Sequence, residues 1–317
     1  MLLDDLLSRR LLVLTGKGGV GKSVVGAAIA LAARERGRRV LLVEVASPLE
    51  AARRLGAGPS HGRPTEIQPG LFTVNLDPAA VMEEYVRHVV RIDLLVRRIL
   101  ESPVYHRFFA AAPALKELML LGKIMVLEEE RTGLARRHAW DLVVVDAPAT
   151  GHGLAFLKVP LAAAEAIPVG PVGHNARRIL KLLRDRRRTA LVIVAIPEEM
   201  AAVEAVELHR LAVDEVGVAP AAVVLNGCHE RRFSDEEEVE ILRLSAAGLR
   251  GRLDEDVPLE AALRAGRRQV RRRKLTRFYQ DRLRRALPLP LVSLPFLFRE
   301  DLGLEELHSL AARLEAA

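Results

Sequence analysis

Short apolar runs alternate with longer stretches of helical periodicity along this chain. The first run, "RRLLVLT", ends in a glycine-rich turn, and "VVGAAIALAARERG" then repeats apolar positions at helical spacing up to a stop at Gly37. Six further runs read as strands: "RRVLLVEV", "LFTVNL", "DLVVVDAP", "TALVIVAIP", "AAVVLNG" and "LPLVSLP". Unbroken Val/Leu/Ile stretches such as Leu142 to Val145 suit strands buried on both faces, as in a parallel sheet. Intervening segments such as Glu198 to Val216 are long enough for crossover helices. The pattern predicts an α/β fold, with a doubly wound, mostly parallel sheet of about seven strands flanked by helices.

Two regions interrupt the alternation, giving one domain over residues 1–317 with two helical additions. One is a helical insert at about 78–137, including "ALKELMLLGKIMVLEEERTG"; the other is a polar helical segment at about 234–287. The second carries the run "RRQVRRRK" from Arg267 to Lys274. That run reads as a solvated helix face, with a surface for an acidic partner as the alternative.

Composition changes the picture little. Half of the 317 residues are hydrophobic and 28% are charged, which fits a soluble globular protein. A net charge of +7 raises the question of nucleic acid. Only seven of the 48 basic residues are lysine, however, and the arginines are spread over the whole length, which argues against a dedicated phosphate-backbone surface. The single cysteine, Cys228, excludes an intrachain disulfide framework or a CxxC zinc site and fits a reducing compartment. No apolar run reaches the roughly 18 residues that span a bilayer, and the N-terminal stretch places acids where an export signal has bases, so a cytoplasmic protein is expected. His61, His88, His106, His138 and His174 show no metal-ligand spacing and read as surface residues.

The chemistry sits in "GKGGVGKS", Gly16 to Ser23. Gly16, Gly18, Gly19 and Gly21 let the backbone curl tightly and aim N–H groups at phosphate oxygens, and the helix starting near Lys22 adds its positive dipole end. Lys22 is placed to reach the β- and γ-phosphates of a nucleoside triphosphate, and the Ser23 hydroxyl to ligate Mg2+.

Lys17, just after the first glycine, is one lysine more than a single phosphate loop needs. With it the loop resembles the deviant phosphate loop of the dimeric ATPases that include septum-positioning, plasmid-partition, nitrogenase iron-protein and arsenite-pump members. The resemblance implies that Lys17 reaches across a dimer interface to the neighbour's phosphates, as an arginine finger does elsewhere. "DLVVVDAPATGHGLAFLKVP" is similar to a segment of the arsenite-pump and tail-anchored-protein-targeting ATPases. By that likeness Asp146 holds the magnesium hydration shell, and Ala147 to His152 form a switch sensing the γ-phosphate. His152 has either a nucleotide-state role there or simple loop packing. "IPEEM" (Ile196 to Met200) resembles the family's helix start, and "VVLNG" its strand end. Asn226 is then the adenine reader, or an ordinary turn former ahead of Gly227. "LPFLFREDLGLEEL" is like the family's loop near the base, which brings in Pro295 and Phe296. Val20 and Val24 belong to the loop's nucleotide contacts, Val24 in place of the usual second hydroxyl residue. "PALKELMLLGKI" and "GPVGHNARRILKLLRD" look closest to bacterial arsenite-pump-like paralogues of undefined cargo.

The resemblance covers about Arg10 to Leu310 and implies ATP or ADP and Mg2+ as ligands, and Lys17, Lys22 and Asp146 as the catalytic set. It also implies a homodimer, or a heterodimer with a paralogous ATPase, acting on an unidentified protein client. Departures narrow it. Cys228 alone provides no metalloid-sensing thiolate trio, the bridging CxxC is missing, and Met82, Met119 and Met125 are too few for a methionine-rich groove. The acidic C-terminal stretch does not suit a basic membrane-surface helix. Where the family's second strand ends in D-P-A-H, whose aspartate positions the attacking water, this chain has Ala46. Glu44 shares the face of Ala46 but lies about 6.6 Å back along the strand; Glu50 could fold back. Three readings follow: a slow ATPase whose hydrolysis resets a clamp, a nucleotide-dependent binding subunit that hardly hydrolyses ATP, and, third, a partition-type DNA-associated ATPase.

Overall fold

The computed structural model describes residues 2–45, 50–58, 60, 62–90, 92–103, 105, 107, 112–148, 153–244, 259–299 and 301–316. Ala46 and the switch residues from Ala149 to His152 lie outside them.

Every strand expected from the apolar runs forms: β1 (Leu11–Thr15), β2 (Val40–Val45), β4 (Leu71–Leu76), β7 (Leu142–Asp146), β8 (Thr189–Ala195), β9 (Pro220–Cys228) and β10 (Leu291–Pro295). Among the described residues they assemble in the order β10-β9-β8-β1-β7-β2-β4-β3, so the sheet there has eight strands rather than seven. The extra strand, β3 (Thr65–Gln68), pairs antiparallel with β4 at the edge. It has no apolar run because it is exposed or half-exposed along its length, as edge strands commonly are. The other pairings are parallel.

Alternating residues of the central strands serve opposite layers. Leu11, Val13, Leu41 and Val43 join one core cluster; Leu12, Leu14, Val40 and Leu42 join the other. Period-two side chains on a sheet covered on both faces leave no solvent face, hence the unbroken apolar runs. One layer comes from α4 (Pro78–Val90), α6 (Pro113–Glu129), α7 (Gly153–Ala166) and α8 (Gly170–Arg184). The other is built on α1 (Leu2–Leu7), α2 (Lys22–Glu35), α3 (Glu50–Arg54) and α12 (Leu304–Glu315). A smaller cluster joins β8 and β9 to α9 (Glu199–Leu211) and α11 (Leu259–Ala286).

The insert contains α4, α5 (Asp93–Leu100) and α6 among its described residues, but α6 stops at Glu129. A small hairpin follows, β5 (Arg131–Thr132) and β6 (Arg137–His138), turning at Gly133, whose φ is 70°. The polar segment holds α10 (Asp235–Arg243), started by a Ser234–Glu237 capping box, and the 28-residue α11. No helix among the described residues is long and apolar enough to cross a membrane.

The connections fix where a site can form. From β1 the chain crosses to β2 on one side, while β8 pairs with β1 on the other. A crevice therefore opens at the carboxyl ends of β1, β7 and β8, where such sheets hold ligands.

Candidate functional site

The turn from β1 into α2 sits in that crevice. Gly16, Gly19 and Gly21 have φ of 144°, 82° and 87°. At two of these positions the requirement for glycine is also steric. A Cβ on Gly16 would collide with the Val194 carbonyl, and one on Gly21 with the Asn226 side chain. Gly18 and Gly19 are exposed and Val20 is buried against the core. Gly21 is the N-cap of α2 without a side-chain cap, so the first N–H groups of that helix have no intrahelical partner.

Two clusters meet at the loop. Inside it, Lys22 is only 5% exposed and Asp146 3%. The Lys22 ammonium donates to the carbonyls of Gly16 and Lys17, each at 3.0 Å. The Ser23 hydroxyl donates to Asp146 Oδ2 at 2.5 Å. Burial lowers the Lys22 pKa against the pull of Asp146 and Glu204, and it raises that of Asp146 against the Ser23 hydrogen bond and the Lys22 charge. A hydroxyl beside a carboxylate is a hard-oxygen donor pair suited to Mg2+, and the curled loop with its buried ammonium suits a polyphosphate. Lys17 is half-exposed, and its ammonium makes no hydrogen bond or ion pair among the described residues.

Outside the loop, Gly19, Val20, Gly21, Val24, Asn226, Pro295 and Phe296 line a single cleft of about 580 Å3. Lys17, Lys22, Ser23 and Asp146 do not line it. Of the residues expected to bind phosphate and Mg2+, Gly19 and Gly21 thus share the cleft with those expected to bind a base, while Lys22, Ser23 and Asp146 lie outside it. Asn226 donates from Nδ2 to the Val20 carbonyl at 3.0 Å, so in this structure its amide braces the loop.

The cleft also holds residues the motifs did not single out. His229 stacks on Phe296 with ring centroids 4.8 Å apart and planes 15° apart, and Phe298 meets both rings edge-on. Gln269 and Arg272, from α11, contact the two ring nitrogens at 3.2 and 3.4 Å. The only sequence signal for His229 was its place just past a strand end; Arg272 was hidden in a charge run whose other members look alike. Burial lowers the His229 pKa, and Arg272 and Arg232 push it the same way against the Gln269 hydrogen bond. The unfolded chain, at about 6.5, therefore takes up the proton first, and stability falls as pH drops through that value. His229→Phe keeps a ring on Phe296 and should flatten this slope; thermal melts at pH 7.5 and 5.5 measure it. An unchanged slope would place the pH dependence elsewhere.

Neither glutamate weighed for the water-positioning role is free. Glu44 is fully buried and accepts the N–H groups of Ala51 and Ala52 at 2.8 and 3.2 Å; burial raises its pKa first of all. Glu50 pairs with Arg54 at 3.1 Å and Arg53 at 3.4 Å. Burial pushes the Cys228 thiol up to about 11, which makes it a packed thiol rather than a thiolate ligand. Among the histidines read as surface residues, His88 and His174 are exposed, and His61 and His106 fall outside the described residues. His138 departs from that reading: its Nδ1 is buried, and it lines a separate cleft.

Comparison with known proteins agrees with this geometry. A family model described as anion-transporting ATPase matches residues 9–168, from just before β1 to just past α7. The ATPase BagA of Mycobacterium tuberculosis is 30% identical over 225 residues, covering 68% of this chain and 65% of that protein. An arsenical pump-driving ATPase of Escherichia coli is 27% identical over 236 residues, covering 68% of this chain but 39% of that protein. The chain thus spans a little under two thirds of the mycobacterial relative and about two fifths of the pump-driving one. With half of its length matched by the family model, the chain belongs to the anion-transporting ATPase family.

Proposed function

We propose that this protein is a cytoplasmic, dimeric ATPase that binds Mg–ATP at Gly16–Ser23 and uses binding and slow hydrolysis to drive a conformational cycle on a protein partner. The observation that carries the reading is the Ser23–Asp146 pair beside the buried Lys22 ammonium, at the start of α2. Lys22 and the loop N–H groups would bind the β- and γ-phosphates, while Ser23 directly, and Asp146 through water, would hold Mg2+. The ion supplies charge neutralisation on the phosphates. Asp146, whose burial raises its pKa against the Ser23 hydrogen bond and the Lys22 charge, orients that side of the site. The His229–Phe296 stack, Pro295 and Asn226 form the wall that takes the base. Lys17, with its ammonium unengaged among the described residues, serves the neighbouring subunit's phosphates. The whole chain acts as one ATPase domain, with the insert at about 78–137 and the helical segment at about 234–287 as the parts that present the nucleotide state to a client.

A second reading, a hydrolysis-deficient subunit paired with an active paralogue, draws support from Ala46 together with the engaged carboxylates of Glu44 and Glu50. An attacking water without a carboxylate loses positioning worth factors of about 10² or more. The purified protein should therefore bind Mg–ATP in calorimetry yet release phosphate very slowly, and Ala46→Asp should raise turnover by about that factor. Absence of ATP binding would refute both readings; brisk turnover that Ala46→Asp leaves unchanged would refute the second alone.

A further inference from the structure

A second cleft, of about 620 Å3, lies at the opposite end of the central strands from the glycine-rich loop. Its lining is Arg10, Glu129, Arg131, Arg136, His138 and Arg188. Arg10 immediately precedes β1 and Arg188 immediately precedes β8, and the Arg10 N–H donates to the Arg188 carbonyl at 2.9 Å. Two arginines are thus fixed side by side at the amino end of the sheet. Arg131 and His138 face each other across the β5–β6 hairpin, and Arg136 occupies its turn.

The charges in this cleft do not cancel. Fully buried Glu128 accepts from Arg10 at 2.9 Å and from Arg188 at 2.5 Å, while Glu129 accepts from Arg178 at 2.7 Å and Arg188 at 3.3 Å. Glu130 accepts the Trp140 indole N–H at 3.2 Å. Arg131 donates to the Arg136 carbonyl at 3.0 Å, not to a carboxylate, and the Arg136 guanidinium has no hydrogen bond or ion pair among the described residues. Four arginines (10, 131, 136 and 188) line the cleft against one lining carboxylate, Glu129, and the buried Glu128 behind it, a surplus of two positive charges. His138 Nδ1 is buried with no partner among the described residues. The turn also holds Arg136 at φ 47°, a left-handed backbone that is uncommon for a residue with a side chain.

We propose that this cleft binds a phosphoryl group, free or carried by a small molecule, with Arg131, Arg136 and His138 Nδ1 as its donors and Arg10 and Arg188 as flanking charge. Guanidinium forks match phosphate oxygens, a surplus of two charges matches a dianion, and the cavity has room for an organic remainder beyond the phosphate. A ligand here would meet residues from three parts of the chain: the start of β1, the start of β8 and the hairpin closing the helical insert.

Trp140, the sole tryptophan, is bonded to Glu130 beside Arg131 and makes an intrinsic probe. With the nucleotide site filled by Mg–ADP and ionic strength held with chloride, inorganic phosphate should change Trp140 fluorescence saturably. It should also raise the His138 pKa seen by NMR, because burial, Arg10 and Arg131 hold that pKa down and an anion offsets them. Arg131→Gln and Arg136→Gln alter exposed side chains and should leave the melting temperature in place while weakening phosphate binding by at least about tenfold each. Arg136→Lys should retain part of the affinity. Glucose 6-phosphate binding tenfold tighter than inorganic phosphate would identify a phosphorylated small molecule as the ligand; equal binding would identify the free anion. A response that tracks ionic strength without saturating, that survives both Gln variants, or that citrate produces and phosphate does not, would overturn the proposal.

Discussion

Lys22→Ala should cost the protein about a thousandfold in ATP affinity, as two charge-assisted hydrogen bonds to phosphate oxygens are lost together. The side chain has few alternatives for its ammonium. It is buried, it bridges the Gly16 and Lys17 carbonyls at 3.0 Å, and burial already lowers its pKa. Desolvation of this charge is only partly offset within the fold, and a triphosphate entering the loop meets an ammonium already positioned and in need of an anion. Removing it also takes away one of the two groups that oppose the upward shift that burial gives the Asp146 carboxyl. Calorimetry with Mg–ATP measures the loss, and a circular dichroism spectrum matching the parent's separates it from misfolding. Near-normal ATP affinity in Lys22→Ala would sink the assignment of the loop. Lys22→Arg should recover little, because the guanidinium fork is too broad to sit between two carbonyls that one ammonium bridges.

Much of this site was legible before the fold was known. The strand–loop–helix order around Gly16–Ser23 needs only local rules, and β1, the loop and α2 form within a residue or two of where apolar periodicity and Gly37 place them. Asp146 was singled out by the likeness of its segment to the family's, and it ends a run buried on both faces. What stayed hidden depends on packing between distant segments. β3 has no apolar run, so nothing marks it as a strand until β4 offers an edge. The hairpin after α6 pairs only two residues a side, too short for any period to register. His229 and Arg272 gain meaning only when α11 lies across β9 and brings Gln269 and Arg272 to the ring nitrogens. Asn226 shows the opposite limit. The motif identifies the residue, but its amide bonds the loop carbonyl of Val20, a contact spanning two hundred residues of chain.

Lys17→Ala tests the part of the mechanism that one chain cannot display. Lys22 has two carbonyl partners within its own loop, whereas the Lys17 ammonium has none among the described residues. A cation held half-exposed beside a phosphate-binding loop is free to act on a group outside its own subunit. If it does, Lys17→Ala leaves ADP binding to the monomer intact, abolishes ATP-dependent dimer closure in sedimentation, and lowers turnover by roughly a thousandfold, the range of an arginine finger. The assay belongs in the Ala46→Asp background, where turnover is expected to be high enough for such a loss to be read. Mixing then separates trans from cis. At an ATP concentration that fills the parent but not the weakened site, a Lys22→Ala subunit stays empty but still carries Lys17, and a Lys17→Ala subunit binds ATP but offers nothing to its neighbour. Neither is active alone, yet half the dimers in an equal mixture contain one of each. In those, the intact Lys17 reaches the one filled site, and about a quarter of the parent's turnover should return. If Lys17 acted within its own chain, no site in the mixture would have both lysines at one nucleotide, and turnover would stay at the level of the separate variants.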